Sequence, residues 1–411
     1  MKYSEIFLPL IAITLMSWGC GNTENKKADL PEYPKGSFGY DVEFMKKYHN
    51  DLFVLGKDST GPQILIAPAY QGRVMSSSSE GLYGYSFGWV NHELIISGKL
   101  QPHMNAFGGE ERIWLGPEGG QFSFFFKKGS PFTFENWFVP KEMDTEPYDV
   151  KYSDDDEVLF ENRIELVNYS GVPFSIKVQR QVKLLKGSAI GSILGIDLPG
   201  NMKLVGFETQ NNITNVGKQA WTRKTGMPSI WILSMLNASP ATTIVLPYKE
   251  GDLASLGKIM TDDYFGKVPT DRLKADSGLI RFSADGKYRS KIGISPKRAL
   301  PFVGSYDAEH SVLTIARFSL PSGARDYVNS LWKLQDDPFS GDAVNAYNDG
   351  SVDGKQMGNF YEIESSSPAA ALEPGMSLGH KHVTIHIKGS KEQLEPIVKK
   401  IFGKSLDKFK L

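Results

Sequence analysis

Two glutamates near the C-terminal end of the chain have the spacing of side chains that act together. Glu362 and Glu364 stand in the stretch Asn359-Phe360-Tyr361-Glu362-Ile363-Glu364, which is expected to be an extended strand. Alternation along a strand places both carboxylates on one face, about 7 Å apart. A carboxylate held on a rigid strand can act as a general base toward a hydroxyl. The alternative is a pair of solvated surface glutamates, which is the commoner outcome for this residue type.

Polar and aromatic residues accompany these glutamates. Asn345, Tyr347, Asn348 and Phe360 lie in or beside the same stretch, together with Tyr361. Ligand pockets are built from such mixtures of aromatic surface and a few polar groups. We therefore expect one wall of a cleft here, with Glu362 and Glu364 as candidate catalytic residues and with Asn348 and Tyr361 as candidate substrate contacts.

A second candidate region runs from His103 to Gln121 and is rich in glycine. Glycines let backbone approach a ligand closely, while Arg112, Trp114, Glu118, Gln121 and His103 offer side-chain contacts. An aromatic ring can cover the apolar face of a pyranose while charged groups bond its hydroxyls. The region therefore predicts a sugar-binding surface. The alternative is a glycine-rich connection with Trp114 in the core.

Three histidines follow on the last predicted strand. His380, His382 and His386 have the same parity and are expected on one face. His380 and His382 stand close enough to share a metal, but no third ligand is identifiable. We therefore expect hydrogen-bonding histidines in a core or cleft, with no metal and no cofactor.

The N-terminus has the pattern of an export signal. Lys2 precedes an apolar run from Ile6 to Met16, and Ser17-Trp18-Gly19 leads to Cys20. The run is shorter than the roughly 20 residues that a membrane-spanning helix needs. Because Cys20 is the single cysteine of the chain, it cannot form an internal disulfide, and its position resembles the acylated cysteine of a bacterial lipobox. The alternative is a leaderless protein with a buried N-terminal helix.

These features divide the chain into a signal peptide (1–19), a flexible tether (20–35) and one large domain (36–411). With 46 basic and 47 acidic side chains, the charge is balanced and no footprint for nucleic acid is visible. Aromatic residues make up 12% of the chain and turn-forming Gly and Pro number 41 and 23, which favours a β-rich body. The predicted location is the cell envelope, with contact to a membrane only through the lipid.

Short alternating runs with turn residues between them predict antiparallel strands in an all-β, single-domain sandwich with few helices. The predicted strands are 64–67, 122–126, 158–167, 174–178, 230–235, 243–246, 279–282, 312–318 and 382–387. The predicted helices are 42–48, 324–334 and a closing helix after Ser390, where Ser390 and Gln393 have capping-box spacing. The acidic run Asp154-Asp155-Asp156-Glu157 is expected at a hairpin tip, with calcium binding as the alternative.

Several motifs in order along the chain resemble the galactose mutarotase-like superfamily, which comprises the aldose 1-epimerases and non-catalytic relatives. They are Ile64-Leu65-Ile66-Ala67-Pro68 with Gly72-Arg73-Val74-Met75, Gly108-Gly109-Glu110-Glu111-Arg112-Ile113-Trp114, and Glu362-Ile363-Glu364 followed by Leu372-Glu373-Pro374-Gly375. The stretches Trp114-Leu115-Gly116-Pro117-Glu118-Gly119-Gly120 and Asn359-Phe360-Tyr361-Glu362 are most similar to an uncharacterised family of bacterial lipoproteins within that superfamily. The resemblance implies a β-supersandwich.

The resemblance also implies a chemistry. In the epimerases a C-terminal Glu accepts the proton of the anomeric hydroxyl, and a mid-chain His protonates the ring oxygen. Either Glu364 or Glu362 matches that base. The neighbourhood expected to hold the histidine, residues 211–231, contains none, so His103 or His382 would have to reach the cleft from elsewhere.

Three functions therefore remain open. The first is an exported lipoprotein that binds a mono- or oligosaccharide without assigned catalysis. The second is an aldose 1-epimerase-like isomerase that uses Glu364 or Glu362 as base and a relocated histidine as acid. The third is a glycoside hydrolase or lyase with paired carboxylates, which is disfavoured because Glu362 and Glu364 would approach the sugar from the same side.

Overall fold

Antiparallel strands are the main regular structure of the protein, as the alternating sequence pattern predicts. The computed structural model describes residues 33–411, so the predicted signal peptide, Cys20 and most of the predicted tether lie outside the described residues. The strands, in chain order, are β1 Phe53–Leu55, β2 Gln63–Ala67, β3 Arg73–Ser78, β4 Arg112–Gly116, β5 Asp149–Ser153, β6 Glu157–Val167, β7 Pro173–Leu184, β8 Lys203–Asn215, β9 Ser229–Leu233, β10 Leu236–Asn237, β11 Thr242–Pro247, β12 Leu273–Asp276, β13 Leu279–Ser283, β14 Ser290–Ile294, β15 Phe302–Asp307, β16 Val312–Phe318, β17 Val344–Asn348, β18 Phe360–Ser366 and β19 Ser377–Lys388.

These strands form three sheets. A three-stranded sheet has the order β1-β2-β3, and a six-stranded sheet has the order β14-β17-β18-β9-β4, with β10 paired to β18. A ten-stranded sheet has the order β12-β13-β11-β15-β16-β19-β8-β7-β6-β5. The all-β sandwich expected from the sequence is therefore confirmed, and the described residues 33–411 belong to one compact unit.

The helices are short. They are α1 Phe38–Tyr48, α2 His92–Ser97, α3 Lys141–Asp144, α4 Gly187–Leu194, α5 Leu253–Leu256 and α6 Lys391–Phe402, with single 3₁₀ turns at Pro68–Tyr70, Gly81–Tyr83, Phe134–Asn136 and Leu406–Phe409. The closing helix α6 begins with the predicted capping box of Ser390 and Gln393. It packs with α4 on one face of the ten-stranded sheet, where Leu394 and Ile397 meet Ile315 and Ile385. No helix within residues 33–411 is long and apolar enough to cross a membrane.

The core lies between the six-stranded and ten-stranded sheets. Along β18, Ile363 points into this core, where it meets Ile292 of β14 and Val303 of β15. Along β4 and β9, Ile113 and Ile232 likewise belong to a cluster with residues of β7 and β8. Because side chains alternate along a strand, the residues between these apolar positions must face away from the core, onto the other face of the six-stranded sheet.

Two predicted elements are wrong. Residues 324–334, expected as a helix, are an irregular segment, in which Tyr327 donates its N–H to the carbonyl of Phe339 and the N–H of Leu331 is bonded by the side chain of Asn329. Residues 122–126, expected as a strand, form a buried turn instead. The rings in that turn pack in different directions, Phe122 on Phe339 and Phe124 on Phe174.

The acidic run beginning at Asp154 is the predicted hairpin tip between β5 and β6. The Asp154 carboxylate accepts the backbone N–H groups of Asp156 and Glu157, each at 2.9 Å. Within residues 33–411, no group of three or more His, Cys, Asp or Glu side chains is arranged to hold a metal ion.

Candidate functional site

The outward face of the six-stranded sheet carries charged and aromatic side chains. Strand register places Glu364 opposite Asn345 of β17 on one side and Leu233 of β9 on the other, and Leu233 is in turn opposite Arg112 of β4. Glu362 is opposite Tyr347, which is opposite Lys291 of β14. Directly opposed residues share a face. The sheet therefore brings together side chains separated by up to 250 positions in the sequence.

Glu364 is the most enclosed member of this face. Its Oε2 accepts a hydrogen bond from the indole N–H of Trp231 at 2.8 Å and another from Lys291 Nζ at 2.9 Å. The Glu364 side chain is 1% exposed and that of Lys291 is 11% exposed. The other oxygen, Oε1, is buried and has no hydrogen-bond partner. A buried acceptor without a partner is costly unless a ligand supplies the missing donor.

Lys291 is held between aromatic rings and carboxylates. Its ammonium lies 4.8 Å from the centre of the Trp231 ring and 5.7 Å from that of Tyr264. Burial acts to lower the pKa of Lys291, but the charges of Glu364 and Glu118 outweigh it, so its pKa lies above the ordinary value. The lysine is therefore a cation at neutral pH.

Arg112 and Glu362 form a second buried hydrogen-bonded pair beside the first. Arg112 Nη2 donates to Glu362 Oε1 at 3.0 Å, and the guanidinium lies 4.4 Å from the centre of the Trp114 ring. Arg112 Nε is buried without a partner. Burial raises the pKa of Glu362 to about 8, against the lowering effect of Arg112 and with a further raising effect of Glu364. The surroundings thus favour the protonated form of Glu362 near neutral pH.

Glu118 reaches the same face from the loop after β4. Burial raises its pKa, Lys291 acts against this effect, and Glu364 adds to it. Its carboxylate also accepts a hydrogen bond from the Trp332 side chain. We call Arg112, Glu118, Lys291, Glu362 and Glu364, with the flanking rings of Trp114 and Trp231, the charged cluster.

Two predicted contact residues lie on the other face. Tyr361 alternates with Glu362, and its hydroxyl is 2.7 Å from Ser305 Oγ of the ten-stranded sheet. Asn348 is fully buried, where its side chain accepts the N–H of Gly286 and donates to the carbonyl of Tyr288. The expectation that Tyr361 and Asn348 contact substrate is therefore corrected, because strand parity turns both into the core.

The predicted acid His382 is also separated from the glutamates by the sheet. Its Nδ1 lies 2.9 Å from Ser365 Oγ, and His380 Nε2 lies 2.8 Å from the same hydroxyl. Because Ser365 alternates with Glu364, this contact is on the core side of β18. Burial lowers the pKa of His380 and of His382 to about 3. His382 is thus a neutral core histidine, which corrects its assignment as a catalytic residue.

The third histidine of that strand and the remaining four also have partners elsewhere. His386 Nε2 lies 2.5 Å from Glu110 Oε1. His103 Nδ1 lies 2.7 Å from the carbonyl oxygen of Trp137, and the His103 ring packs between the rings of Phe134 and Phe138. His49, His92 and His310 bond Tyr70, Asp41 and Asp307 respectively. Both positions from which a relocated histidine was expected, His103 and His382, are therefore engaged away from Glu362 and Glu364.

Only some of the polar residues in the glycine-rich region belong to the charged cluster. Gln121 exchanges hydrogen bonds with the backbone of Gln335 and ties two loops together, so it is not a contact of the charged cluster. A Cβ at Gly108 would stand 2.1 Å from the carbonyl oxygen of Trp89, and one at Gly119 would stand 2.4 Å from that of Leu331. These two glycines therefore allow close packing between backbone segments of the protein itself. Trp114 is 3% exposed and lies on the same face of the sheet as Arg112 and Trp231, away from the core between the two sheets.

The sequence-based expectations missed Lys291, Trp231 and Tyr264. Lys291 alternates with Ile292 in a short strand and looks like an ordinary solvated lysine. Trp231 lies in the region expected to hold a histidine. Its position two residues before Leu233 on an apolar strand could have predicted that both side chains share one face of the sheet. Tyr264 comes from a loop without strand or helix pattern, and its hydroxyl donates to Asp342 at 2.7 Å.

The charged cluster is nearly closed to solvent. Trp114, Trp231, Arg112 and Glu362 are each between 3% and 6% exposed. An open pocket of about 330 Å³ lies elsewhere, lined by Lys203, His310, Lys388 and Ser390 among others. We place the candidate site at the charged cluster because Glu364 Oε1 and Arg112 Nε are buried there without partners, beside a Glu362 of raised pKa, whereas the lysines of the open pocket are paired with Glu80.

Solved structures with similar folds share little sequence with this chain. The Slr1438 protein from Synechocystis sp. PCC 6803 is 13% identical with a TM-score of 0.50, covering 82% of this chain and 96% of that one. A putative aldose 1-epimerase from Escherichia coli K12 is 11% identical with a TM-score of 0.46, covering 82% and 99%. A galactose mutarotase-like protein from Lactobacillus casei ATCC 334 is 11% identical with a TM-score of 0.45, again covering 82% and 99%. Identities this low concern the fold alone.

The chain has no significant match among curated proteins. A protein-family model, described as a family of unknown function (DUF6786), matches residues 36–411. The match covers all but the first 35 residues of the sequence. The chain therefore belongs to the family of unknown function DUF6786.

Proposed function

We propose that this protein binds carbohydrate on the outward face of the six-stranded sheet, at the charged cluster. The observation that carries the proposal is the pair of buried, unpartnered atoms Glu364 Oε1 and Arg112 Nε, which lie among two buried hydrogen-bonded pairs and two indole rings. One atom accepts a hydrogen bond and the other donates one. A hydroxyl group does both, so a polyhydroxylated ligand could satisfy both.

The aromatic rings support a sugar over other polar ligands. A pyranose has apolar C–H faces as well as hydroxyl edges, and it fits a site where indole surface adjoins charged donors and acceptors. Trp231 and Trp114 have ring centres 5.6 Å apart in an edge-to-face arrangement. Both rings adjoin a cation, Lys291 or Arg112, that could bond the hydroxyls.

A ligand reaches this face only if a covering segment moves. Tyr264 and Phe265, in the loop between α5 and β12, lie over Lys291 and Tyr347, with the Phe265 ring 6.0 Å from that of Tyr347. Phe265 is 47% exposed and Gly266 beside it has a φ of 97°, whereas Tyr264 is held by its hydrogen bond to Asp342. We infer that displacement of this loop admits the sugar.

A second candidate function is aldose 1-epimerase-like proton transfer without histidine. The observation favouring it is the pKa of about 8 for Glu362, two residues from the ion-paired Glu364. Paired carboxyls in different environments serve as acid and base. Protonated Glu362 would donate to the ring oxygen while Glu364 accepts the anomeric proton, so that the bond between C1 and the ring oxygen breaks and the open-chain aldehyde forms.

Location is part of the proposal. We propose that the chain is exported, acylated on Cys20 after removal of residues 1–19, and held at the cell envelope with this domain outside the cytoplasm. The support is the sequence pattern around Cys20. Such a location would expose the charged cluster to glycans outside the cytoplasm.

A glycan array tests the binding proposal. The wild-type protein should bind at least one class of neutral or acidic glycan, and Glu364→Gln should reduce that binding at least tenfold because one charged hydrogen bond is lost. Ser366→Ala is the matched control, since Ser366 lies on the same strand and face, opposite Trp231, but outside the Lys291–Glu364 and Arg112–Glu362 pairs. Absence of binding across a broad array, or equal binding by Glu364→Gln, would refute the assignment.

Polarimetry tests the second candidate. Freshly dissolved α-glucose, α-galactose and α-xylose should approach their equilibrium rotation faster with the wild-type protein than in buffer. Glu362→Gln should abolish the acceleration because an amide cannot donate a proton to the ring oxygen as an acid. Equal rates with and without protein would exclude the epimerase candidate and leave carbohydrate binding standing.

A further inference from the structure

A line of aromatic rings extends from the charged cluster to the protein surface. The Trp332 side chain bonds Glu118, a member of the cluster. Trp137 is stacked on Trp332 with ring centres 5.8 Å apart, and Phe134 is stacked on Trp137 at 6.1 Å. The His103 ring lies 4.5 Å from that of Phe134 and 4.6 Å from that of Phe138. We call Trp332, Trp137, Phe134, His103 and Phe138 the aromatic strip.

The strip changes from buried to exposed along its length. Trp332 is partly buried and Trp137 is 7% exposed, whereas Phe134 is 56% and Phe138 is 39% exposed. Large aromatic side chains usually bury most of their area, so adjacent exposed rings on an otherwise packed protein indicate a contact surface. The exposed end is connected to the charged cluster by ring contacts throughout.

Backbone contacts hold the exposed rings in place. Phe134 begins a 3₁₀ turn, and Phe138 donates its N–H to the carbonyl of Phe125 at 2.9 Å. His103 is fixed from both sides, through its Nδ1 to the carbonyl of Trp137 and through its own carbonyl, which accepts the N–H of Val139 at 2.9 Å. A ligand would therefore meet rings that need little ordering, which lowers the entropic cost of binding.

The groups beside the exposed rings favour a glycan over a lipid surface. Asn136 Nδ2 donates to Thr133 Oγ1 at 3.0 Å, so hydrogen-bonding side chains border the rings. Glu135 projects into solvent at the same turn, and its hydrogen bond from Thr133 lowers the pKa of its carboxyl, which is therefore ionised. A carboxylate disfavours contact with anionic lipid, while rings alternating with hydroxyl and amide groups suit the faces and edges of sugars.

We propose that the aromatic strip binds successive units of an oligosaccharide whose terminal unit occupies the charged cluster. The substrate class is then a linear oligo- or polysaccharide rather than a free monosaccharide. This inference rests on the proposed function of the charged cluster and extends it along a second surface. Each stacked ring adds an interaction that a monosaccharide is too short to make.

The test is the dependence of affinity on chain length. Calorimetry with the β-1,4-linked gluco-, xylo- and manno-oligosaccharides and the α-1,4-linked galacturonides, each from monosaccharide to hexasaccharide, should show affinity rising with length in at least one series. The double variant Phe134→Ala/Phe138→Ala should weaken hexasaccharide binding by about threefold to tenfold for each ring removed and leave monosaccharide binding unchanged. Tyr152→Ala is the matched control, since Tyr152 is a similarly exposed ring on β5, outside the strip.

Three other results of these binding measurements would overturn the proposal. Affinity that is independent of length, with a monosaccharide still bound, would overturn the strip and leave the charged cluster as the sugar site. Failure to bind any member of any series would overturn the strip, and absence of binding across the glycan array as well would overturn the charged cluster. Binding of the wild-type domain to phosphatidylcholine vesicles that is lost in the double variant would assign the exposed rings to a lipid surface and overturn the proposal.

Discussion

Lys291 is the residue on which the enclosure of Glu364 depends. It supplies the cation that offsets the buried carboxylate, and its side chain is itself only 11% exposed. Removing one partner of a buried ion pair leaves an uncompensated charge, at a cost of about 3 to 5 kcal/mol. We expect Lys291→Met to lower the free energy of unfolding by that amount, as measured by urea denaturation at neutral pH.

Two variants define the cause of that loss. Lys291→Arg keeps the positive charge and should recover part of the stability, although its planar head differs from an ammonium. Lys287→Met removes an exposed lysine just before the same strand and should change stability by less than about 0.5 kcal/mol. A loss of similar size in Lys287→Met would show that the effect belongs to the hairpin and not to the ion pair.

Glu362 should make the protein less stable as pH rises. Its pKa is raised from 4.5 to about 8 in the folded protein, chiefly by burial. Between these values the folded protein retains a proton that the unfolded chain has released. The stabilising contribution is therefore complete below about pH 4.5 and is lost as pH rises through about 8.

Glu362→Gln is uncharged in both states and removes this contribution. The decline in the free energy of unfolding between about pH 5 and about pH 9 should be smaller in this variant than in the wild type, by more than the 1.36 kcal/mol equivalent of one pKa unit. Denaturant unfolding across the pH series gives the measurement. Glu165→Gln, on an exposed strand position, should follow the wild-type profile. Parallel profiles for the wild type and Glu362→Gln would contradict the raised pKa.

At the scale of the element, strand β18 carries core contacts on one face and members of the charged cluster on the other. Ser365 joins the core histidines of β19, while Glu364 joins the charged cluster on the opposite side. Ser365→Ala would leave imidazole nitrogens of His380 and His382 buried without their partner, which costs about 1 to 3 kcal/mol. We expect a lower melting temperature for Ser365→Ala and unchanged affinity for whichever glycan the wild type binds.

Glu364→Gln should show the converse, with weakened glycan binding that exceeds any effect on folding. The comparison is informative because the two substitutions are adjacent in sequence. A loss of binding in Ser365→Ala at a temperature where the variant is fully folded would mean that the faces are coupled through β18.

At the scale of the whole molecule, the alternation of apolar and polar residues correctly predicted most strands. The segments that were predicted wrongly are those whose conformation is set by contacts with residues outside the segment. Phe174, Ile176 and Val178 alternate with polar residues and lie in β7 as predicted, because one face of that strand is buried in the core. The helical spacing of residues 324–334 is overridden by distant partners, among them the carbonyl of Phe339, which accepts the N–H of Tyr327. Propensity is a weak prior where such tertiary bonds are available.

The candidate site also combines features that the sequence predicts with features that depend on tertiary contacts. Parity alone placed Glu362 and Glu364 on one face, and it would equally have excluded Tyr361. The role of Lys291 could not be read from its neighbours, since its burial depends on Glu118, Trp231 and Glu364, from three other segments. A single sequence does not show which distant strands pair with one another.

The proposed membrane anchor concerns the whole molecule, and the proposal rests on the sequence pattern around Cys20. Two acyl chains on one residue give stable attachment, whereas a single chain gives only marginal binding. We expect Cys20→Ser to move the protein from the membrane fraction to the soluble fraction of the envelope and to abolish labelling by a tagged fatty acid. Asn22→Ser, two residues later, should remain membrane-bound and labelled. Retention of both labelling and membrane association in Cys20→Ser would place the attachment elsewhere, and the charged cluster would then need another route to glycans outside the cytoplasm.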